Sequence, residues 1–206
     1  DLDTPKKDDL LATTAVIKEE IGRLDELVSQ FLGVLRPAPI DLTEEEIKEI
    51  LDEVIRLVEE SFHRDGIRIK RQFPEKQITG KMDRNLIKQA VLNLLKNAAQ
   101  AMPRGGDITV RIDADEQYLK ISIFDQGSGI NRDKIPRIFD PFFTTRETGT
   151  GLGLLVVYKV LRQHGGYMEV KSEEGRGTVF SLWLPRRPER IKLLPAAVED
   201  KVDGEG

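Results

Sequence analysis

The sequence predicts an α+β fold in which helices are layered on one face of a mixed sheet, preceded by a long heptad helix. Strand-like and helix-like apolar patterns follow one another along residues 43–185 without the strict strand–helix alternation of a parallel sheet. Before them, apolar residues from Ile17 to Leu35 recur at spacings of 4, 3, 4, 3 and 4, which is the period of a coiled-coil seam. A chain of 206 residues has room for one domain of about 150 residues and an appendage.

The composition excludes several classes of protein. Because the chain has no cysteine, a disulfide framework and a thiolate metal site are both excluded, and we expect a cytoplasmic location. The longest apolar run, from Leu152 to Tyr158, is too short to cross a bilayer, so no membrane segment is expected. The net charge of −4 and the scattered lysines and arginines give no reason to expect a nucleic-acid partner.

The heptad helix, residues 1–36, cannot bury its own seam. It would be about 40 Å long at 1.5 Å per residue. We expect the seam to pair with a second copy of the chain, forming a homodimer. The alternative is one amphipathic helix that lies on the following domain. Pro37 and Pro39 end the helix and stiffen a short linker, residues 37–42.

The first half of the domain at 43–185 is predicted to contain two helices and one strand. A helix begins at Thr43, with Glu46 as the second member of a capping box, and ends near His63. A strand covers 67–73, and Asp83 caps the next helix. The apolar face of the first helix is predicted to comprise Ile47, Ile50, Leu51, Val54, Leu57 and Val58.

The second half is predicted to contain four strands and one helix. Alternating apolar residues mark strands at 108–112 and 119–123. A helix follows from about 152 to 163, where His164 stands in the position of a C-terminal cap. The last strands lie near 167–172 and 178–184, and residues 186–206 form a charged, flexible tail.

The first motif with chemical potential is the segment NLLKNAAQAM at 93–102. Asn93 and Asn97 are four residues apart and therefore share one face of a helix. An amide oxygen is a suitable ligand for a hard cation such as Mg²⁺. The alternative is a pair of ordinary surface amides.

The second motif follows the strand that ends at Asp125. Gly127 and Gly129 permit a tight turn and the close approach of a ligand. The carboxylate can accept a hydrogen bond from an amino group such as that of adenine. The alternative is a simple Asx turn at the end of a strand.

The third motif runs from Phe139 to Leu154. Aromatic residues lead into a polar run, and glycines then open a helix whose first amides and dipole suit phosphate oxygens. It is not a P-loop, which ends in Gly-Lys-Ser/Thr. It is not a dinucleotide fingerprint either, because no buried strand precedes the glycines.

In this order the motifs resemble the N, G1, F and G2 boxes of the ATPase fold shared by histidine kinases, gyrase, Hsp90 and MutL. The resemblance extends through His164 and the segment 175–180, so residues 83–184 resemble the ATP-binding domain of bacterial sensor histidine kinases. The segments NLLKNAAQAM and FDPFFTTR are similar to the nitrogen-regulation type.

The resemblance implies ATP and Mg²⁺ as cofactors. Asn97 would hold the Mg²⁺, and Asp125 would bind the adenine amino group, supported by Thr178 through a water. Many family members carry a lysine at the position of Gln100, so Lys96 is the substitute for phosphate contact; the implied catalytic set is Asn93, Lys96 and Asn97.

The adenine pocket would be shaped by Ala101, Gly127, Gly129 and Ile130. The lid over ATP would comprise Thr144, Thr145, Arg146, Gly149 and Thr150, with Arg146 adding charge to the phosphates. Backbone amides would reach the phosphates from Gly151, Leu152, Gly153 and Leu154.

The branch of the family is indicated by Asn93. ATP-hydrolysing members place a glutamate base there, and an amide cannot take a proton from water. Phosphoryl transfer is therefore favoured over hydrolysis. The heptad helix resembles the second helix of a dimerisation and phosphotransfer domain.

Neither histidine of the chain resembles the family's acceptor. His63 is interpreted as a solvent-facing helix end, and His164 as a helix cap. We therefore expect a fragment that starts after the acceptor helix. It would phosphorylate a histidine outside it, from which a response-regulator receiver domain takes the phosphoryl group. The alternatives are a non-catalytic regulatory ATP-binding module and an anti-sigma-type serine kinase.

Overall fold

The computed structural model describes residues 10–14, 17, 18, 21, 39–144 and 150–187. The predicted lid residues Thr145, Arg146 and Gly149 lie outside the described residues, as do the seam positions 24–35 and most of the predicted tail. Residues 10–14, 17, 18 and 21 are helical, and the apolar side chains among them are more than half exposed: Leu10, Leu11, Ile17 and Ile21. Within the described ranges, no helix is long and apolar enough to cross a membrane.

Among the described residues from 39 onward, the domain has three α-helices and seven strands. The helices are α1 (Ile47–Arg64), α2 (Arg84–Ala101) and α3 (Gly153–Gln163). The strands are β1 (Thr43–Glu46), β2 (Ile67–Gln72), β3 (Thr79–Met82), β4 (Gly106–Ala114), β5 (Tyr118–Asp125), β6 (Tyr167–Glu173) and β7 (Gly177–Pro185). A short 3-10 helix covers Arg132–Arg137.

Five strands form one sheet in the order β2-β4-β5-β7-β6. The β2–β4 pair is parallel and the other pairs are antiparallel, so the sheet is mixed. Alternate residues of β4 point to one face of the sheet and join the apolar faces of the helices in one buried core: Ile108, Val110 and Ile112. Ile121 and Ile123 of β5 are buried in the same core. The predicted layering of helices on a mixed sheet is confirmed.

The predicted beginning of the first helix is wrong. Thr43–Glu46 is strand β1, which pairs antiparallel with β3 in the register Thr43↔Met82 and Glu46↔Thr79. The helix begins at Ile47, whose N–H donates to Ile78 O at 3.1 Å, and Glu46 makes no side-chain cap. Backbone pairing with β3, a four-residue strand that the sequence pattern did not reveal, takes the place of the expected capping box.

The predicted apolar face of α1 is also wrong at one position. Leu57 is 72% exposed, whereas Ile55 is fully buried. Ile50 lies seven residues before Leu57, on nearly the same side of the helix, and is buried. In the last turns of α1, the buried face of the helix therefore includes Ile55 and Phe62 and does not include Leu57.

The cap predicted at Asp83 is confirmed. Its Oδ1 accepts the N–H groups of Asn85 and Leu86, both at 3.1 Å, which satisfies two orphan donors of α2. The N–H of Asp41, in the segment before β1, donates to the other carboxylate oxygen, Oδ2, at 3.2 Å. Asp83 therefore holds the start of α2 against that segment.

His164 joins the end of α3 to the start of α2. It is the C-cap of α3 and only 1% exposed. Its Nδ1 lies 2.7 Å from Val160 O, and its Nε2 accepts the N–H of Asp83 at 2.9 Å. Because one partner is an acceptor and the other a donor, the ring is the neutral tautomer with its hydrogen on Nδ1. Burial lowers the pKa of His164, and this outweighs the raising effects of the Val160 hydrogen bond and of Asp83.

We predict that this burial makes stability fall with acid. The folded protein keeps His164 neutral, while the unfolded chain takes up the proton at the ordinary pKa of 6.5. Below that pH the unfolded state binds more protons, so the free energy of unfolding decreases as the pH falls. Urea unfolding on either side of that pKa, at about pH 7.5 and about pH 5.5, should show a larger loss for the natural chain than for His164→Gln. Equal losses would show that His164 does not carry this dependence.

Candidate functional site

The two asparagines of the first motif lie beside the start of α3. A Cβ built on Gly153 would be 3.5 Å from Asn93 Oδ1, 3.8 Å from Asn97 Nδ2 and 3.9 Å from Asn97 Oδ1. Both asparagines are half-buried, and Asn93 Nδ2 donates to Gln89 O at 3.0 Å. The structure thus brings together the amides of α2 and the glycine that opens α3, which lie more than fifty residues apart in the chain. Lys96, on the same helix, is exposed.

The start of α3 can serve as an anion site. The first N–H groups of an α-helix have no acceptor within the helix, and the helix dipole favours negative charge beside them. Leu152, the residue before the helix, is buried, and Leu154, which is half-buried, packs against the hydrophobic core. Thr150 Oγ1 accepts the N–H of Leu152 at 3.2 Å. The helix start is therefore fixed, with Gly153 facing the two asparagines.

The two ends of the predicted lid lie against each other. Gly151 has φ +67°, and a Cβ there would be 2.4 Å from the carbonyl carbon of Phe142. Phe142 itself has φ +64°, a left-handed conformation that is strained for a bulky residue, and its side chain is 61% exposed. Thr144 is exposed beside it. The close approach of Phe142 and Gly151 sets where the segment between them leaves and rejoins the domain.

Asp125 lies at the end of β5, on the face of the sheet that is covered by the helices. It is 8% exposed. Its Oδ1 accepts two backbone N–H groups, from Gly127 at 2.9 Å and Thr178 at 3.2 Å. Two donors on one oxygen fix the orientation of the carboxylate.

Close backbone contacts surround Asp125. A Cβ on Gly127 would lie 2.6 Å from Ala101 Cβ and 2.7 Å from Ala101 O. The same carbonyl of Ala101 accepts the N–H of Ser128 at 3.1 Å. The end of α2 is thereby fastened to the turn after β5, with Ala101 beside Gly127.

Ser172 belongs to this region, and sequence reasoning missed it. Its Oγ lies 2.8 Å from Thr178 Oγ1, donates to Gly177 O at 3.0 Å and accepts the N–H of Ile130 at 2.8 Å. It therefore ties Ile130 to β7. A signal was present, because Ser172 is a polar residue on the inward-facing side of β6, in step with Met168 and Val170. Gly129, with φ +67°, allows the chain to pass there, since a Cβ would be 2.1 Å from Glu173 O.

The residues beside Gly153 fit a magnesium ion that is held mainly by substrate phosphates and waters, with few ligands from the protein. In the part of the chain that the structure describes, no three His, Cys, Asp or Glu side chains gather as a metal cage. Mg²⁺ is commonly bound through one or two protein oxygens together with substrate phosphates and waters. Asn97 is half-buried, with its side-chain amide beside Gly153 at the start of α3, and would offer one such oxygen to a bound ion.

The chain matches known proteins over the same region. Residues 82–188 match the family model described as histidine kinase-, DNA gyrase B-, and HSP90-like ATPase. The chain is 38% identical over 173 residues to sporulation kinase E of Bacillus subtilis (strain 168), covering 84% of this chain and 23% of that protein. Sensor histidine kinase ZraS of Escherichia coli (strain K12) is 35% identical over 170 residues, covering 82% of this chain and 37% of that protein. The chain thus spans well under half the length of these curated relatives.

Solved structures show the same similarity. One of them is a crystal structure of histidine kinase ThkA in complex with response regulator protein TrrA. The matched chain of that structure has a TM-score of 0.75 and 28% sequence identity, and the match covers 92% of this chain and 54% of that one.

We predict that two glycine-to-alanine substitutions in the site differ in their effect on stability. Gly127→Ala forces a methyl group to within 3.0 Å of Ala101 and of Asp125 Oδ1. Such overpacking should lower the free energy of unfolding by about 1–3 kcal/mol. Gly153→Ala meets only ordinary contact distances and should not lower it. Chemical denaturation of both variants measures the difference, and equal stabilities would contradict the tight contact at Gly127.

Proposed function

The chain belongs to the histidine kinase-, DNA gyrase B- and HSP90-like ATPase family, and we propose that it binds Mg²⁺–ATP and transfers the γ-phosphoryl group to a histidine outside this chain. The observation that carries the proposal is the placement of Asn93 and Asn97 against Gly153 at the start of α3. This joins an amide ligand for the metal to a helix start for the phosphates.

Asp125 is the proposed adenine contact. Its carboxylate is buried and oriented by the N–H groups of Gly127 and Thr178. A buried, oriented carboxylate forms a strong charge-assisted hydrogen bond with an exocyclic amino group. Thr178 Oγ1 lies 2.8 Å from Ser172 Oγ, and this pair of hydroxyl groups supports the proposal that a water joins Asp125 to the base.

Asn97 is the proposed magnesium ligand, and Lys96 and Arg146 are the proposed cations for the phosphates. Asn97 would hold the Mg²⁺, which would neutralise part of the charge on the phosphates. The side chains of α2 and the amides of α3 would hold the phosphates from two sides. Thr144, Arg146 and Thr150 belong to the proposed lid, whose ends are set by Phe142 and Gly151.

Transfer is favoured over hydrolysis by the residue beside the site. Asn93 lies closest to Gly153, and its amide group cannot act as a general base toward water. The amide of Asn93 instead donates to Gln89 O. The site can therefore hold ATP without activating a water molecule from this position.

Neither histidine of the chain suits the acceptor role. His164 is 1% exposed, and both of its ring nitrogens have hydrogen-bond partners. His63 is an exposed residue at the end of α1, a helix of the ATP-binding domain itself. Phosphoryl transfer needs the attacking nitrogen in line with the phosphate at about 3–3.5 Å. An acceptor on a separate, mobile helix meets this need.

The proposed partners are a second copy of the chain and a response regulator. The exposed apolar residues Leu10, Ile17 and Ile21 support pairing between two N-terminal helices. The similar kinase ThkA has been solved in complex with a response regulator protein, which supports a receiver domain as the recipient of the phosphoryl group.

Two variants should separate the adenine contact from the metal contact. In Asp125→Asn, the N–H groups of Gly127 and Thr178 keep the amide oxygen in place, so the amide nitrogen replaces the other acceptor. Losing a charge-assisted hydrogen bond should weaken adenosine and Mg²⁺–ATP alike, on the order of tenfold to a hundredfold. Asn97→Ala should weaken Mg²⁺–ATP and leave adenosine binding unchanged. Calorimetry with both ligands tests this, and a loss of adenosine affinity in Asn97→Ala would contradict the metal assignment.

We also predict that the chain alone binds ATP without becoming phosphorylated. Incubation with γ-labelled ATP should give no acid-labile, base-stable phosphate on the 206-residue chain. A histidine-bearing helical domain added in trans should become labelled. Stoichiometric label on this chain that disappears in His63→Gln or His164→Gln would make that histidine the acceptor. ATP binding without transfer to any histidine domain would instead indicate a regulatory module.

A further inference from the structure

We propose that the hydrogen bond between the N–H of Asp83 and Nε2 of His164 positions α2 against α3, and thereby sets the phosphate-binding gap between Asn97 and Gly153. Both are positioning residues, since neither lies beside the proposed phosphates. The inference rests on the proposed function, because it concerns the geometry of the same site.

The position of Asp83 is determined by contacts on several sides. Its N–H donates to His164 Nε2 at 2.9 Å, and its Oδ1 accepts the first amides of α2. Oδ2 accepts the N–H of Asp41 at 3.2 Å. A shift of His164 would therefore displace Asp83 and, with it, the first turn of α2.

The position of His164 is equally determined. Nδ1 is bonded to Val160 O, in the last turn of α3, and the side chain is almost fully buried. Water therefore does not compete for Nε2. The imidazole acts as a rigid bridge from the end of one helix to the beginning of the next.

The bridge and the site lie at opposite ends of the same pair of helices. Asp83 precedes α2, and Asn97 lies about 20 Å further along it at 1.5 Å per residue. His164 follows α3, and Gly153 lies about 17 Å back along that helix. Because Asp83 meets His164 and Asn97 meets Gly153, the helices are antiparallel and are joined at both ends.

Apolar packing between α2 and α3 would not by itself fix the separation of Asn97 and Gly153. The two helices pack against each other, and Val91 and Leu94 of α2 lie in the same buried core as Val157 of α3. Apolar attraction is non-directional, whereas a hydrogen bond requires a particular distance and angle. The Asp83–His164 bond therefore supplies the directional restraint on how far one helix slides along the other.

Two substitutions at His164 separate this restraint from simple packing. In His164→Gln, the side-chain oxygen can reach the place of Nε2 and accept the N–H of Asp83. In His164→Asn, the shorter amide can still donate to Val160 O but cannot reach Asp83. The proposed adenine contact, Asp125, lies on β5 and accepts an N–H from β7. The affinity for adenosine therefore reports on the fold of the adenine pocket and not on the distance between Asn97 and Gly153.

We expect His164→Asn to bind Mg²⁺–ATP about fivefold to tenfold more weakly than the natural chain, with unchanged adenosine affinity. His164→Gln should bind both ligands within about twofold of the natural chain. Equal Mg²⁺–ATP affinity in His164→Asn would overturn the proposal. Equal losses for both ligands would show a purely structural role and would also overturn it.

A measurement on the unmodified chain makes the test independent of whether His164→Asn folds. Coupling is reciprocal, so Mg²⁺–ATP should slow hydrogen exchange of the Asp83 amide by about the same factor, while adenosine should leave it unchanged. Identical exchange with the two ligands would overturn the proposal. A natural chain that binds adenosine but not Mg²⁺–ATP, or neither ligand, would overturn the proposed function itself, and this inference with it.

Discussion

The antiparallel packing of α2 against α3 is the constraint on which the rest of the site depends. Each helix contributes one part of the proposed site: Asn97 is one amide on a helix face, and Gly153 opens a helix whose first amides have no acceptor within the helix. A place for the proposed phosphate and metal together would depend on the approach of Asn97 to Gly153. The shared core beneath the two helices holds them together, and Asp83 and His164 join them at the far end. The site is thus an outcome of core packing rather than of any one motif.

The pocket around Asp125 depends on a different constraint, the close approach of backbones. Gly127 passes beside Ala101, and a Cβ on Gly177 would lie 2.0 Å from Asp125 O. Because side chains are absent there, the N–H of Gly127 and that of Thr178 both reach the carboxylate. The glycines do more than permit a turn; they bring the donors that orient the proposed adenine contact. We therefore expect the helix pair and the pocket to respond to different substitutions, although Ala101 of α2 borders the pocket.

Sequence patterns predicted the parts of the structure that are encoded locally. The core helices, the five strands of the main sheet and the cap at Asp83 each depend on periodicity or on a residue within three positions. The strand β1 was not predictable in this way, because a Thr-x-x-Glu signal favours a helix cap and its strand partner β3 lies more than thirty residues away. The bond from Asp83 to His164 was missed for the same reason, since it joins two distant segments. Ser172 was missed although its inward-facing position on β6 was a signal. The roles of the site residues came from the resemblance and stay predictions, although the structure brings Asn93 and Asn97 beside Gly153.

The chemistry of the acceptor follows from what stands beside the proposed phosphates. A serine hydroxyl or a water must lose a proton as it attacks, so an enzyme that uses either places a base nearby. Asn93 offers none. A neutral imidazole differs, because one ring nitrogen carries a lone pair and can attack before any proton is lost. A site that holds ATP beside an amide is therefore better matched to a histidine than to a serine or to water. The proposed histidine acceptor brings its own electron pair and needs no base at this position, and the amide of Asn93 would not activate a water molecule against a bound nucleotide.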